Sequence, residues 1–155
     1  MEKAIICYFS ASGVTKNVAK KLSEIINGDL FEIKPIKEYT EEDLDWHNKN
    51  SRSSIEMNDN TSRPEIKDKL DNIEDYNTIL IGYPIWWDLA PRIINTFIEN
   101  TNLTNKKIYL FATSGGSGIE ESLNNLRRDY PNVNFVSGKR LSENITSNEI
   151  SYWLK

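Results

Sequence analysis

The chain has 155 residues, enough for one domain with a real core, and 38% of them are hydrophobic while 27% are charged. A net charge of −4, from 23 acidic and 19 basic residues, argues against nucleic acid as a partner, and no apolar run approaches the roughly 20 residues of a membrane helix. One cysteine and one histidine exclude an internal disulfide and a Cys/His zinc site.

Ala4 to Phe9 is continuously apolar and reads as a buried strand. No small-residue cleavage site follows it, so it is not read as a signal peptide, and the cytoplasm is the expected compartment. Cys7 lies inside this run and is assigned to packing rather than to nucleophilic chemistry. Val14, Val18, Leu22, Ile25 and Ile26 follow at helical spacing, and Asn27-Gly28 stops that helix. Asp29 to Lys34 is a short strand ended by Pro35, and residues 39–63 are almost wholly polar. Ser62-Arg63-Pro64-Glu65 matches a capping box and predicts a helix carrying Ile66, Leu70 and Ile73. Thr78 to Tyr83 is another buried strand, Leu89 to Phe97 a helix with Pro91 in its first turn, and Ile108 to Ala112 a third buried strand. Ser117-Gly118-Ile119-Glu120 is a second capping box, leading Leu123 and Leu126. Val133 to Val136 is a short strand, and Thr146-Ser147-Asn148-Glu149 caps a last helix through Trp153 and Leu154.

Five strands and five helices in strict alternation predict a parallel sheet covered by helices on both faces. The runs at 4–9, 78–83 and 108–112 are apolar throughout, as central parallel strands require, whereas those at 29–34 and 133–136 are shorter and more polar, as edges are. The expected fold is therefore α/β: a doubly wound, five-stranded parallel sheet of order 2-1-3-4-5 in a three-layer sandwich, one domain over residues 1–155. In that order a cleft opens at the carboxyl ends of the first and third strands, where the winding reverses.

Three special loops leave the central strands on that rim. After the first comes Ser10-Ala11-Ser12-Gly13-Val14-Thr15-Lys16, hydroxyls and a glycine at a helix start, where unpaired N–H groups and the helix dipole suit a phosphate. After the third come Pro84, Ile85, Trp86 and Trp87; two adjacent tryptophans are hard to bury together, and one is free to stack on a flat ligand. After the fourth comes Thr113-Ser114-Gly115-Gly116-Ser117-Gly118, whose three glycines let backbone N–H groups approach a ligand edge. Phosphate at one end and a flat ring at the other fit FMN, and they also fit a mononucleotide. A dinucleotide is disfavoured, because no acidic residue after the second strand is placed to read a ribose.

These motifs resemble the flavodoxin family over nearly the whole chain, in particular a short-chain, flavodoxin-like branch with a Pro-x-Trp-Trp-x-x-x-Pro second loop. By resemblance, Ser10, Ser12, Gly13 and Thr15 bind the FMN phosphate, with Val14 where many members carry asparagine and Lys16 an uncertain addition. Pro84, Ile85, Trp86 and Trp87 match the loop beside the isoalloxazine ring, and Thr113, Ser114, Gly115, Gly116 and Gly118 the loop at its pyrimidine edge. In this branch the 39–63 segment can border the flavin cleft, and Trp46, His47 and Arg63 are its candidates for substrate contact, weighed against a solvated excursion.

The implied function is an FMN-dependent carrier of electrons between redox partner proteins, with no protein acid, nucleophile or metal required. The alternative is an FMN-dependent reductase taking hydride from NAD(P)H and passing it to a quinone or similar small acceptor. A monomer or weak dimer is expected. Thr15→Glu is expected to strip FMN and leave the fold intact.

Overall fold

Branched apolar side chains dominate the central strands, and in the computed structural model, which describes residues 3–114, 116 and 118–155, they form its middle. β1 (Ala4–Tyr8), β3 (Thr78–Pro84) and β4 (Lys107–Thr113) lie between the edge strands β2 (Asp29–Glu32) and β5 (Phe135–Arg140). All pairs are parallel and the order is 2-1-3-4-5, as the sequence pattern predicts.

Side-chain alternation along each strand divides the core into two layers. Ile5, Cys7, Ile79, Ile81, Tyr83, Ile108 and Leu110 face α3 (Arg92–Glu99) and α4 (Glu120–Asp129), where they meet Ile93, Phe97 and Leu126. Ile6, Tyr8, Leu80, Tyr109 and Phe111 face α1 (Val14–Ile26) and α5 (Ser147–Trp153), where they meet Val18, Leu22 and Ile150. Cys7 is fully buried, and burial pushes its thiol pKa well up, so it packs and does not ionise. Gly82 is required by this packing: the Phe111 ring lies over it, and a Cβ there would come within 2.0 Å of the ring. No helix among the described residues is long and apolar enough to cross a membrane.

The segment between β2 and β3 departs from expectation. No helix follows Ser62-Arg63-Pro64-Glu65. Residues 34–36 and 65–67 instead pair in extended conformation, with Ile36 N–H donating to Glu65 O (2.9 Å) and Lys67 N–H to Lys34 O (2.7 Å). Backbone committed to that bridge cannot enter a helix, and Ile66 and Leu70 pack on the core from extended chain. Ile73–Asp75 makes only a 3₁₀ turn. The helix of this region is α2 (Arg52–Asn58), inside the stretch that reads as a polar excursion, with the Ser51 hydroxyl capping it at Ser54 N–H. Its buried residues are Ser53, Ser54, Glu56 and Met57, so no apolar stripe announces it.

Smaller shifts have local causes. β5 runs about two residues later than the apolar run at 133–136, because its half-buried Ser137, Gly138 and Lys139 pair at an edge without needing to be apolar. Pro91 is the N-cap of α3 rather than a residue of its first turn. α4 starts from Ile119 with no side-chain cap, and Ser117 of the expected box lies outside the described residues. Thr146 caps α5 as predicted, accepting from Glu149 N–H at 3.2 Å.

Candidate functional site

The carboxyl ends of β1, β3 and β4 meet at one residue. Thr113, buried at the end of β4, shares a 2.7 Å hydrogen bond between its hydroxyl and that of Thr15, and its carbonyl accepts from Ile85 N–H at 3.2 Å. Thr113 thus ties the first two loops to the start of the third.

The first loop is shaped by Ser10, whose Oγ accepts from Gly13 N–H (3.1 Å) and Lys16 N–H (3.2 Å). Gly13 is the N-cap of α1 with φ +97°, a left-handed conformation that glycine adopts without strain, and in place of an N-cap side chain Ser10 Oγ satisfies the Lys16 N–H of the first turn. Nothing lies within 4 Å of where a Gly13 Cβ would stand, so the glycine serves the backbone and not a close approach. Ser12 and Val14 are exposed at the mouth and Lys16 is half-buried. A helix start with the exposed Ser12 hydroxyl beside it is a donor set fit for phosphate. Thr15 is only 1% exposed, and a glutamate there would bury a charge and break the bond to Thr113. The expectation that Thr15→Glu leaves the fold intact is therefore wrong; Ser12 is the position where a charge tests the cradle alone.

The second loop is a two-residue hairpin turn. Trp86 and Leu89 exchange both backbone hydrogen bonds (2.9 and 3.0 Å), and the corner residues Trp87 and Asp88 have φ +49° and +65°. This is the geometry of a type I′ turn, which favours Asn-Gly; a tryptophan in it is strained by roughly 1–2 kcal/mol. The turn separates the two indoles. Trp86 packs edge-on against Phe9 (5.7 Å between centroids) and Tyr39 (5.4 Å), whereas Trp87 stands 47% exposed on the rim. Pro84 and Ile85 are half-buried beneath them.

In the third loop Ser114 is half-buried and its Oγ accepts from Gly116 N–H at 3.2 Å. Gly116 and Gly118 are exposed, with open space at the Gly116 Cβ position. Gly115 lies outside the described residues. Asp88, Glu120 and Glu121 are exposed near the same loops.

The polar segment contributes residues that sequence reasoning missed. Tyr39 donates its O–H to Glu56, and the Arg52 guanidinium lies 3.7 Å from the Tyr39 ring centroid while donating to Glu56 Oε2 (2.9 Å) and Lys37 O (2.7 Å). Burial, reinforced by the Glu56 carboxylate, pushes the Tyr39 hydroxyl well above the usual tyrosine range, so it remains a donor. Buried Arg92 donates to Glu56 O (3.3 Å) and Met57 O (2.9 Å), fastening the end of α2 to the start of α3. The signal open to sequence reading was the Arg52/Glu56 pair at i,i+4.

Of the three substrate-contact candidates, Trp46 and His47 stack on each other with centroids 3.7 Å apart, and Trp46 is 66% exposed. Trp46 shares with Leu44, Ser53, Ile85, Trp86 and Trp87 the wall of a pocket of about 350 Å³. Arg63 is elsewhere. Its guanidinium grips Glu99 (3.0–3.1 Å) and the carbonyls of Asn60 and Ser62. Glu99 is the last residue of α3, whereas Trp87 precedes the first, so Arg63 is a structural clamp remote from the cleft.

A flavodoxin family profile (Flavodoxin_4) matches residues 3–155. No curated protein matches the chain. A Bacteroides eggerthii protein of known structure, provisionally named a flavoprotein, is 51% identical with a TM-score of 0.97, the match covering 99% of this chain and 96% of that one. A Lactobacillus acidophilus flavoprotein solved in complex with FMN is 27% identical with a TM-score of 0.76, covering 100% of both chains. An archaeal flavodoxin, 18% identical with a TM-score of 0.56 over 97% of this chain and 90% of that one, shares the fold. The chain belongs to the flavodoxin family.

Proposed function

We propose that the chain binds FMN and carries electrons between redox partner proteins. The observation that carries this reading is the pairing, around Thr113, of a helix start with an exposed tryptophan held on a left-handed turn. The Lactobacillus relative solved with FMN supports it.

In this reading N–H groups of the loop through Ser10, Ser12, Gly13, Val14 and Thr15, with the Ser12 hydroxyl, donate to the phosphate. Trp87 lies against the ring, with Pro84, Ile85 and Trp86 behind it. Thr113, Ser114, Gly116 and Gly118, and by family pattern Gly115, border its polar edge. Bound FMN supplies the redox chemistry; the chain orients it, shields it from water and sets the local field. The carboxylates of Asp88, Glu120 and Glu121 disfavour further negative charge in the cleft.

Titrating FMN into the apoprotein tests the reading. Flavin fluorescence should quench at one FMN per chain. Ser12→Glu should abolish quenching while the melting temperature holds, because a fixed carboxylate then stands where the phosphate must go. Unquenched FMN in the unaltered protein would refute the reading. A second reading, an NAD(P)H-dependent reductase of a small acceptor, is favoured by the apolar pocket beside Trp87. Bleaching of the flavin absorbance by NADPH alone, under anaerobic conditions, would select it over the carrier.

A further inference from the structure

Asn27-Gly28, the pair that stops α1, takes no part in the flavin site, and it is the one Asn-Gly step in the chain. Asn27 is the C-cap of α1, exposed and left-handed at φ 55° and ψ 45°, and its side-chain amide makes no hydrogen bond among the described residues. A single residue holds the corner closed. Ser23 O accepts from Asn27 N–H and from Gly28 N–H (3.1 Å), and Ser23 Oγ donates to Gly28 O at 2.6 Å. Gly28 is half-buried, and a Cβ on it would stand 3.2 Å from Ala4 O. An asparagine side chain is most open to attack by the next backbone nitrogen when that residue is glycine, which has no side chain to block the approach.

We infer that Asn27 is a site of spontaneous deamidation and that Ser23 gates it. The Gly28 nitrogen, its proton lost to solvent hydroxide, bonds to Asn27 Cγ, and the side-chain amide leaves as ammonia. Water opens the resulting cyclic imide at either carbonyl, leaving aspartate or an isoaspartate whose main chain runs through Cγ. No oxidant, reductant or cofactor enters. In the closed corner Gly28 N–H is committed to Ser23 O and its peptide is fixed by the Ser23 hydroxyl. The nitrogen then neither loses its proton nor swings toward Cγ, so the reaction runs through local opening of the corner. Its product places a carboxylate at the C-terminal end of a helix with no basic residue in its last turn, where the dipole disfavours negative charge. Isoaspartate also lengthens the main chain just before Asp29, which pairs with Ile5 and accepts from Tyr76 O–H at 2.7 Å. Deamidation thus loosens the junction of α1 and β2, at the far end of α1 from the Ser10–Thr15 loop.

The test incubates the purified full chain at mildly alkaline pH, native and in urea, and follows amide-to-acid conversion by peptide mass spectrometry. In urea Asn27 should convert before Asn50, whose neighbour Ser51 is bulkier than glycine. Conversion in urea should be about tenfold or more faster than in the native chain, where both Ser23–Gly28 hydrogen bonds must open first. Ser23→Ala should speed native conversion, and hydrogen exchange of the Gly28 amide, about two- to tenfold, the loss of one hydrogen bond, with the rate in urea unchanged. Asn27→Asp should lower the melting temperature by about 1–4 °C. Intact Asn27 in urea once Asn50 has converted would overturn the site. Equal native and urea rates, or Ser23→Ala without effect on both native readouts, would overturn the gate, and an unaltered melting temperature in Asn27→Asp would overturn the loosened junction.

Discussion

Replacing Trp87 by alanine and, separately, by glycine isolates the backbone strain of the second loop. Both variants lose the same indole, so its packing and ligand contacts cancel in the comparison. What differs is the cost of a Cβ at φ +49°. A left-handed conformation costs an ordinary L-residue roughly 1–2 kcal/mol, which glycine escapes. Glycine in turn gives up about 0.5–1 kcal/mol through the freer unfolded chain. Trp87→Gly should therefore be more stable than Trp87→Ala by up to about 1.5 kcal/mol. At a position of ordinary backbone the order reverses, alanine leading by about 0.5–1 kcal/mol. Thermal melts of the two apoproteins read the difference, at about 2–4 °C per kcal/mol for a domain of this size. A higher melting temperature for Trp87→Ala would refute the strained turn, and with it the argument that the turn exists to present an indole. Both variants should bind FMN more weakly than the unaltered chain.

Other consequences follow from single contacts. Gly82→Ala drives a Cβ to within 2.0–2.6 Å of Phe111 ring atoms and should cost about 1–3 kcal/mol or more in urea unfolding, with Phe111→Leu restoring part of the loss in the double variant. Arg92→Met keeps an apolar stem but removes the donors to Glu56 O and Met57 O; amides of α2 should exchange faster, with about 1.5–3 kcal/mol lost. Hydrogen bonds from Arg63, then from Tyr130, hold the Glu99 carboxyl below its usual range, so its contribution is present above that range and fades as pH falls through it. The Glu99 side chain is 41% exposed and solvent screens it, so Glu99→Gln should flatten the acid limb of a melting-temperature profile by well under about 1 kcal/mol.

Sheet order was legible because it rests on local composition. Continuous runs of Ile, Leu, Tyr and Phe suit central parallel strands, and the shorter, more polar runs at 29–34 and 133–136 suit edges. The second helix was not legible because its burial is polar: Ser53, Ser54 and Glu56 face inward and are matched, Ser53 Oγ excepted, by partners such as Tyr39, Asn48 and Arg52. Such matching creates no periodicity, whereas the apolar Ile66, Leu70 and Ile73 mimic a helical stripe while packing from extended chain and a 3₁₀ turn. The capping box at Ser62–Glu65 misled for a related reason. A box describes how a helix begins if the backbone is free to form one, and residues 65–67 are held by a bridge to 34–36.

At the candidate site, the rim loops were legible as a set but their division of labour was not. Sequence placed Thr15 among phosphate donors; the fold commits its hydroxyl to Thr113, a strut between the first and third loops. Two tryptophans in a row left open which would be free, and the answer lies in the backbone, where a left-handed corner at Trp87-Asp88 turns one indole inward and the other out. Trp-Asp is poor local chemistry for that corner, which Asn-Gly would make without strain. A sequence optimised only for stability would carry the better turn. Conflict between local preference and observed geometry is expected where a residue is kept for what it presents rather than for what it stabilises. Ser53 repeats the argument in another currency of free energy: an unpaired hydroxyl in a wall of indoles costs the free protein stability, as the left-handed tryptophan does. Both departures from good folding chemistry border the same pocket, where Trp87 and Ser53 both form part of the wall.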